Sequence, residues 1–369
     1  MLTEAWFHGD GSTPETSPFA EVFETEVVRR NLDRVRRGMD VILDRESPVV
    51  GATPKDILYA KGTQRLYRYR PVTDEVYRIP VVLVMSLISK PYILDLSPGQ
   101  SLVEYLLREG FDVFMVDWGV PRPEDSHLGL EYYVLDALPR NVEEVQKVTG
   151  EREINILGYC MGGLLGLMYN GIFHDAPVAN MVCAATPVDF DGMGLFRRWS
   201  DRRWFDLDRL VDSLGNIPPD LIFRSFEMLR PAQRWAEYAR LLDNLHNDLY
   251  VKHWRLFNKW VYDQIPFPGQ AYRQLIKELM WENKLMKGQL NIGGRMVDTK
   301  GITCPLLHIM AEYDHIAPFD STQPLSTLVG SEEKEDIILK GGHVSLIAGR
   351  NAWTRVWPQL SQWLGERSV

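Results

Sequence analysis

The chain has 369 residues, 45% of them hydrophobic and 25% charged, which is ordinary for a globular protein and enough for a large core carrying an insertion. Its formal net charge of −9 gives no electrostatic support to nucleic-acid binding. Three cysteines, Cys160, Cys183 and Cys304, are too sparse and odd a set for a disulfide framework and point to a reducing compartment.

In chain order, the polar, acidic start "MLTEAWFHGDGSTPETSP" is no signal peptide, and residues 1–18 read as disordered. Val28, Leu32, Val35, Met39 and Ile42 then recur at steps of three and four, one stripe of an amphipathic helix within residues 19–45. Arg29, Arg30, Arg34, Arg36 and Arg37 crowd its other faces. Such a helix either packs on its own domain or docks a partner subunit. "QRLYRYRPV" and "EVYRIPVVLVMSL" predict an outer and a buried strand around the turn "TD". The apolar run "VVLVMSLI" is too short to span a bilayer, so a cytoplasmic protein is expected.

The chain then alternates. "GQSLVEYLLREG" predicts a helix, "FDVFMVDWG" a strand, and "YYVLDALPRNVEEVQKVTG" a helix in spite of Pro139. "EINILG" follows as a strand, "GGLLGLMYNGIF" as a helix and "VANMVCAATP" as a strand. This is the rhythm of a doubly wound, mostly parallel α/β sheet. It breaks near Asp189 into a Trp- and Arg-rich, helical stretch. It resumes at "CPLLHIMAEYD" and "EDIILKGGH" and closes with a helix around "AWTRVWPQLSQWL". The expected organisation is an N-terminal segment over residues 1–45, a core of residues 46–189 and 301–369, and an inserted helical cap over 190–300.

"ILGYCMGG" carries the spacing of a nucleophile elbow, G-x-S-x-G, with Cys160 in place of serine. A strand before it and a Gly-rich helix after it are the context that pattern requires, and they predict an α/β-hydrolase fold. The helix N-terminus would face the sulfur, where its dipole stabilises negative charge. In such folds the acid and then the base follow the nucleophile. Asp314 follows the strand of "LLHIMAEYD", and His343 follows the last strand behind two glycines. His308 falls inside a strand, and His315 adjoins Asp314. Asp320 starts a helix and reads as a cap, while Asp336 begins a strand. Cys160, Asp314 and His343 are therefore the expected nucleophile, orienter and base. The oxyanion hole should take the N–H of Met161 and one from the loop after "VVLV": Ile88, with Leu87 and Ser89 as alternatives. Asp117 in "VDWG" reads as a turn residue, and Cys183 and Cys304 as inert small hydrophobes. No cluster has metal-ligand spacing, and no phosphate loop or dinucleotide fingerprint occurs.

With these residues in place, the sequence resembles the catalytic subunit of polyhydroxyalkanoate synthases of the short, two-component types. "KPYILDL", "GFDVFMVDWG", "GYCMGG", "NKLMKGQL", "AEYDHIAP" and "GGHVSL" carry the likeness, and "EDSHL", "GNIPP" and "IPFPG" lean towards class IV rather than class III. The likeness runs from about residue 45 almost to the end. The family's catalytic Cys, Asp and His fall on Cys160, Asp314 and His343. The resemblance implies an (R)-3-hydroxyacyl-coenzyme A substrate, 3-hydroxybutyryl-coenzyme A for a short-side-chain type. It implies a growing polyester chain as product, no cofactor beyond the thioester itself, and no metal. It also implies a second synthase subunit, a homodimeric or hetero-oligomeric assembly, and a place at the surface of polyester granules. Arg197, Arg198, Arg202 and Arg203 in "FRRWSDRRW" form a basic cluster that would either grip coenzyme A phosphates or line a solvated cap face. The cap itself is expected to be a lid that keeps water out. Two other readings stand beside this one: a Cys-dependent hydrolase or thioesterase of the dienelactone-hydrolase type, and a non-catalytic granule scaffold.

Overall fold

The computed structural model describes residues 48–369 together with residues 28, 29, 32, 33, 36 and 38. Ser47–Pro231 with Leu256–Val369 makes the larger of two compact units; the described part of the smaller is those six N-terminal residues and residues 232–255.

The larger unit is built on one eight-stranded sheet. Its strands are β1 (Lys55–Lys61), β2 (Gln64–Tyr69), β3 (Val81–Val84), β4 (Val113–Asp117), β5 (Ile154–Tyr159) and β6 (Val178–Ala184), then β9 (Leu306–Ala311) and β10 (Lys334–Leu339). A separate two-stranded hairpin, β7 (Asn291–Ile292) and β8 (Arg295–Met296), lies between β6 and β9 in sequence. The sheet order is β1-β2-β4-β3-β5-β6-β9-β10; β2 is antiparallel to both neighbours and every other pairing is parallel. In the parallel part, Val82 of β3 lies beside Phe114 of β4 and Ile156 of β5.

All four residues of β3 are buried, because a central parallel strand is covered on both faces. The period of two then sorts alternate side chains into two cores. Val82, Val84, Phe114, Val116, Ile154 and Ile156 face one, with α2 (Leu138–Thr149) and α3 (Met161–Ile172) packed on them. Val81, Leu83, Val113, Met115 and Leu157 face the other, under α1 (Leu102–Arg108) and α4 (Trp357–Gly365). Winding reverses at β3, between β4 and β5, and in open α/β sheets such a switch point is where ligands bind, at the C-terminal ends of the strands.

Pro139 is accommodated because α2 is entered through a wider π-type turn, Tyr132–Ala137, in which Leu138 N–H donates to Tyr133 O, five residues back. The same device, Ala352–Val356, precedes Pro358 in α4. The sequence reading did not anticipate β1. That edge strand alternates raggedly between exposed and half-buried residues, and a bulge between Ile57 and Tyr59 breaks its period. Nor did it anticipate the β7–β8 hairpin, whose two-residue strands carry no periodic signal.

Residues 190–300 are mainly helical: Gly194–Trp199, Leu207–Leu214, Pro219–Leu229, Pro231–Asp243, Asp248–Tyr262 and Gly269–Gln274. The boundary between the units runs through this stretch, because 232–255 belongs to the smaller one.

In the smaller unit the six described N-terminal residues are helical; the rest of the helix expected over 19–45, and the start at 1–18, lie outside the described residues. Gly38 lets that helix approach closely, since a Cβ there would stand 3.0 Å from Leu242 Cδ2 and 3.2 Å from Leu245 Cδ1. Leu241 and Leu245 are buried, and the rings of Tyr238 and Trp254 meet at 6.0 Å.

Candidate active site

The chain leaves β5 at Tyr159, turns at Cys160 with φ 54° and ψ −122°, and enters α3 at Met161. A side chain in that region of backbone space is strained by about 1–3 kcal/mol, so the surroundings must impose it. They do. Cys160 N–H donates to Ala184 O of β6 at 2.8 Å, and α3 lies close against the strands. A Cβ on Gly162 would stand 1.9 Å from Val84 O, and one on Gly158 would stand 2.3 Å from Gly163 Cα. Glycine is thus required on both sides of the turn. Met161 opens α3, and the N–H groups of a first helical turn have no acceptor within their own helix.

Asp314 and His343 reach the same edge of the sheet from the loops after β9 and β10. His343 Nδ1 lies 2.7 Å from Asp314 Oδ2, and both side chains are buried. The other oxygen, Asp314 Oδ1, accepts from the N–H groups of Ile316 at 2.8 Å and Ala317 at 2.9 Å, which is what the "DHIAP" stretch is for. Burial works to lower the His343 pKa. The Asp314 carboxylate and the Cys160 sulfur outweigh it and push the imidazole up to about 10.

Tyr159 was not singled out in the sequence, yet it frames His343. It is buried, its ring lies 4.9 Å from the His343 ring, and its hydroxyl donates to His343 O at 3.4 Å. A buried aromatic next to the nucleophile was legible only as core. The other candidates lie elsewhere. His308 is buried in β9 with Nδ1 3.4 Å from Asp336 Oδ1, and Asp336 accepts from Ser326 Oγ. His315 is exposed, and Asp320 sits in the first turn of the short helix Phe319–Thr322. Burial raises the thiol pKa of both Cys183 and Cys304, and Cys304 Sγ accepts from Asn170 Nδ2 at 3.3 Å.

Ile88 stands in the loop after β3, where its N–H meets Ser86 Oγ at a long 3.4 Å and its C=O accepts from Ile265 N–H at 3.1 Å. Of the alternatives, Leu87 is buried, and Ser89 forms an isolated antiparallel bridge with Gln264. Trp118 Nε1 donates to Met85 O at 2.9 Å and holds the start of the loop. Asp117 is a turn residue: its Oδ1 accepts from Gly119 N–H at 2.9 Å. In the basic cluster, Arg197 pairs with Asp191, Arg202 with Glu282 and Arg203 with Asp201, while Arg198 is exposed. Among the described residues no three His, Cys, Asp or Glu are grouped to hold a metal ion, and no helix is long and apolar enough to cross a membrane.

Residues 80–349 match the family model described as alpha/beta hydrolase fold, and residues 47–106 match "Poly-beta-hydroxybutyrate polymerase (PhaC) N-terminus". A putative lipase from Sulfolobus solfataricus superposes with a TM-score of 0.57 at 18% identity, over 87% of this chain and 97% of that one. A soluble variant of monoglyceride lipase from Saccharomyces cerevisiae gives 0.51 at 15%, also over 87% and 97%. At such identities the likeness is one of fold. Among curated relatives, the poly(3-hydroxyalkanoate) polymerase subunit PhaC of Allochromatium vinosum is 34% identical, covering 90% of this chain and 94% of its own. That of Synechocystis is 32% identical over 95% of both. That of Haloferax mediterranei is 35% identical over 86% of this chain, which spans 65% of that relative's length. With an α/β-hydrolase sheet, a cysteine at its nucleophile turn and relatives of this kind along most of its length, the chain belongs to the family of poly(3-hydroxyalkanoate) polymerase PhaC subunits.

Proposed function

We propose that this chain polymerises (R)-3-hydroxyacyl-coenzyme A, 3-hydroxybutyryl-coenzyme A foremost, into polyester with release of coenzyme A, through an acyl thioester on Cys160. The observation that carries the reading is a buried Asp314–His343 pair, 2.7 Å apart, reached from the loops after β9 and β10, beside a strained turn that presents Cys160 after β5.

In this reading His343 already holds the proton taken from Cys160, and Sγ attacks the thioester carbonyl as a thiolate. The carbonyl-to-coenzyme A bond breaks, and the proton leaves on the departing thiol. The 3-hydroxyl of a monomer or chain end then attacks the acyl-enzyme and gives its proton to His343; the carbonyl-to-Sγ bond breaks, and the imidazolium keeps the proton beside the freed thiolate. Asp314 orients the imidazole and stabilises its charge. Direct action of Asp314 on the substrate hydroxyl is the other role open to it. The N–H groups of Met161 and Ile88 are the proposed donors to the oxyanion.

The chemistry explains a thiol at this turn. Exchange of one thioester for another is nearly neutral in energy, so the acyl group keeps its transfer potential; a serine ester would lose it. Water must then lose to the incoming hydroxyl, and the burial of both Asp314 and His343 suits a dry site. The same reading takes residues 190–300 as a lid and expects a second synthase subunit, oligomeric assembly and a place at the granule surface. Of the "FRRWSDRRW" arginines it gives the coenzyme A phosphates to Arg198, which is exposed, and leaves Arg197, Arg202 and Arg203 to their pairs with Asp191, Glu282 and Asp201.

The test is to supply 3-hydroxybutyryl-coenzyme A to wild type and Cys160→Ala, with and without candidate partner subunits, and to follow thiol release and insoluble polyester together. Both signals are expected from wild type and neither from the variant. Free hydroxy acid without polyester would mark a hydrolase instead.

A further inference from the structure

The start of "KPYILDL" and the residues that lead into "IPFPG" have no part in the chemistry above, yet the fold brings them together. Lys90 Nζ donates to Asp263 Oδ1 at 2.7 Å, and the hydroxyl of Tyr92 donates to Asp263 Oδ2 at 2.9 Å. Lys259 Nζ adds a longer contact at 3.5 Å. The main chain follows suit: Ile265 N–H donates to Ile88 O at 3.1 Å, Ser89 bridges Gln264, and Trp260 Nε1 donates to Lys90 O at 3.0 Å. Burial alone would raise the Asp263 pKa, but the bonds from Lys90 and Tyr92 hold it below the usual carboxylate range.

We infer that Asp263 is a positioning residue, a clamp that fixes the loop carrying Ile88 so that its N–H is presented to the reacting carbonyl. The inference rests on the proposed role of Ile88. The loop after β3 is pinned at both ends. Trp118 holds Met85 O at one end, and Asp263, Trp260 and Ile265 hold residues 88–92 at the other. Between the pins, Ile88 N–H meets Ser86 Oγ at a long 3.4 Å, a bond that a developing oxyanion displaces at little cost. One carboxylate with one oxygen on Lys90 and the other on Tyr92 sets the spacing of those residues and therefore the course of the loop. Removing it leaves a part-buried ammonium and hydroxyl without their acceptor.

The test uses the full chain as Asp263→Ala and Asp263→Glu, with three readouts. The first is the affinity of 3-hydroxybutanal, which adds to Cys160 as a thiohemiacetal: the S–C bond forms, and the sulfur's proton moves to the carbonyl oxygen that lies in the proposed oxyanion position. The second is the rate of Cys160 alkylation by iodoacetamide, which needs no oxyanion donor. The third is the split of kcat and KM for coenzyme A release from 3-hydroxybutyryl-coenzyme A. Asp263→Ala is expected to weaken the aldehyde and lower kcat about ten-fold, with KM and alkylation within about two-fold. Asp263→Glu should restore most of the loss. Unchanged aldehyde affinity would overturn the clamp, and so would aldehyde affinity and alkylation falling together. A wild type that binds the aldehyde with this Asp263 dependence yet releases no coenzyme A would refute the polymerase reading and leave the clamp standing. A wild type that forms no adduct would refute both.

Discussion

Asp314 divides its carboxylate between two tasks: Oδ2 lies 2.7 Å from His343 Nδ1, while Oδ1 is held by the N–H groups of Ile316 and Ala317 at 2.8 and 2.9 Å. One oxygen shapes the loop, and the other holds the His343 imidazole, the proposed base. Asp314→Asn can keep the first task through its carbonyl but presents an amide to the imidazole and reverses the tautomer it selects. The variant should fold normally and lose about 10³- to 10⁴-fold in kcat for thioester turnover. A far-UV spectrum and coenzyme A release assay on the same sample check both halves.

The pH dependence of stability should carry the mark of His343. Burial favours its neutral form, but Asp314 and Cys160 outweigh burial and raise the pKa from 6.5 to about 10. A raised pKa means that the folded state binds the proton more tightly. The contribution is therefore complete below about pH 6.5 and fades as pH climbs through about 10. Urea unfolding at a series of pH values should show wild type weakening across that window. Asp314→Asn and Cys160→Ala should weaken less steeply, because each removes a group that holds the proton. Equal slopes in all three proteins would contradict this account.

Strain at the nucleophile can be released. Cys160 sits at φ 54°, which glycine adopts freely and alanine does not. Cys160→Gly should be inactive yet more stable than Cys160→Ala by about 1 kcal/mol, read from urea midpoints at matched m-values.

The close approach at the elbow predicts a sharper contrast. At Gly162 a Cβ would meet Val84 O at 1.9 Å, whereas at Gly99, with φ 76°, nothing lies within 4 Å. Gly99→Ala should cost about 1 kcal/mol through backbone strain alone. Gly162→Ala should cost more than about 4 kcal/mol or prevent folding, because the obstacle is backbone and cannot rotate away. Expression and thermal melts of the pair decide it.

Arg202 and Arg203 are exposed and already paired with Glu282 and Asp201, and each guanidinium also lies over a tryptophan ring, Trp281 and Trp204 respectively. Arg202→Ala and Arg203→Ala should leave KM for the coenzyme A thioester within about two-fold and the thermal midpoint essentially unchanged. A ten-fold rise in KM would return these side chains to phosphate binding.

Much of this was legible in advance where a local signal exists. The apolar run of β3 is continuous, and those of β5 and β9 are broken only at Asn155 and His308, because these strands are buried on both faces, and that pattern survives in the sequence. The spacing of Gly158, Cys160 and Gly162 is legible because the elbow leaves no room for side chains beside it. β1 escaped notice because an edge strand has no fully buried face to impose alternation. Tyr159 escaped because a core aromatic and one that packs on a base look alike until the base is placed.

The sequence by itself determined the βα order, the elbow and the residue types able to act as nucleophile, base and orienter, since strand periodicity, glycine tolerance and side-chain chemistry are local properties. Only the tertiary structure decided which of several histidines meets which aspartate, and which loop holds another in place. Asp314 finds His343 across 29 positions and Lys90 finds Asp263 across 173, distances over which no periodicity reaches and which only the winding of one sheet closes.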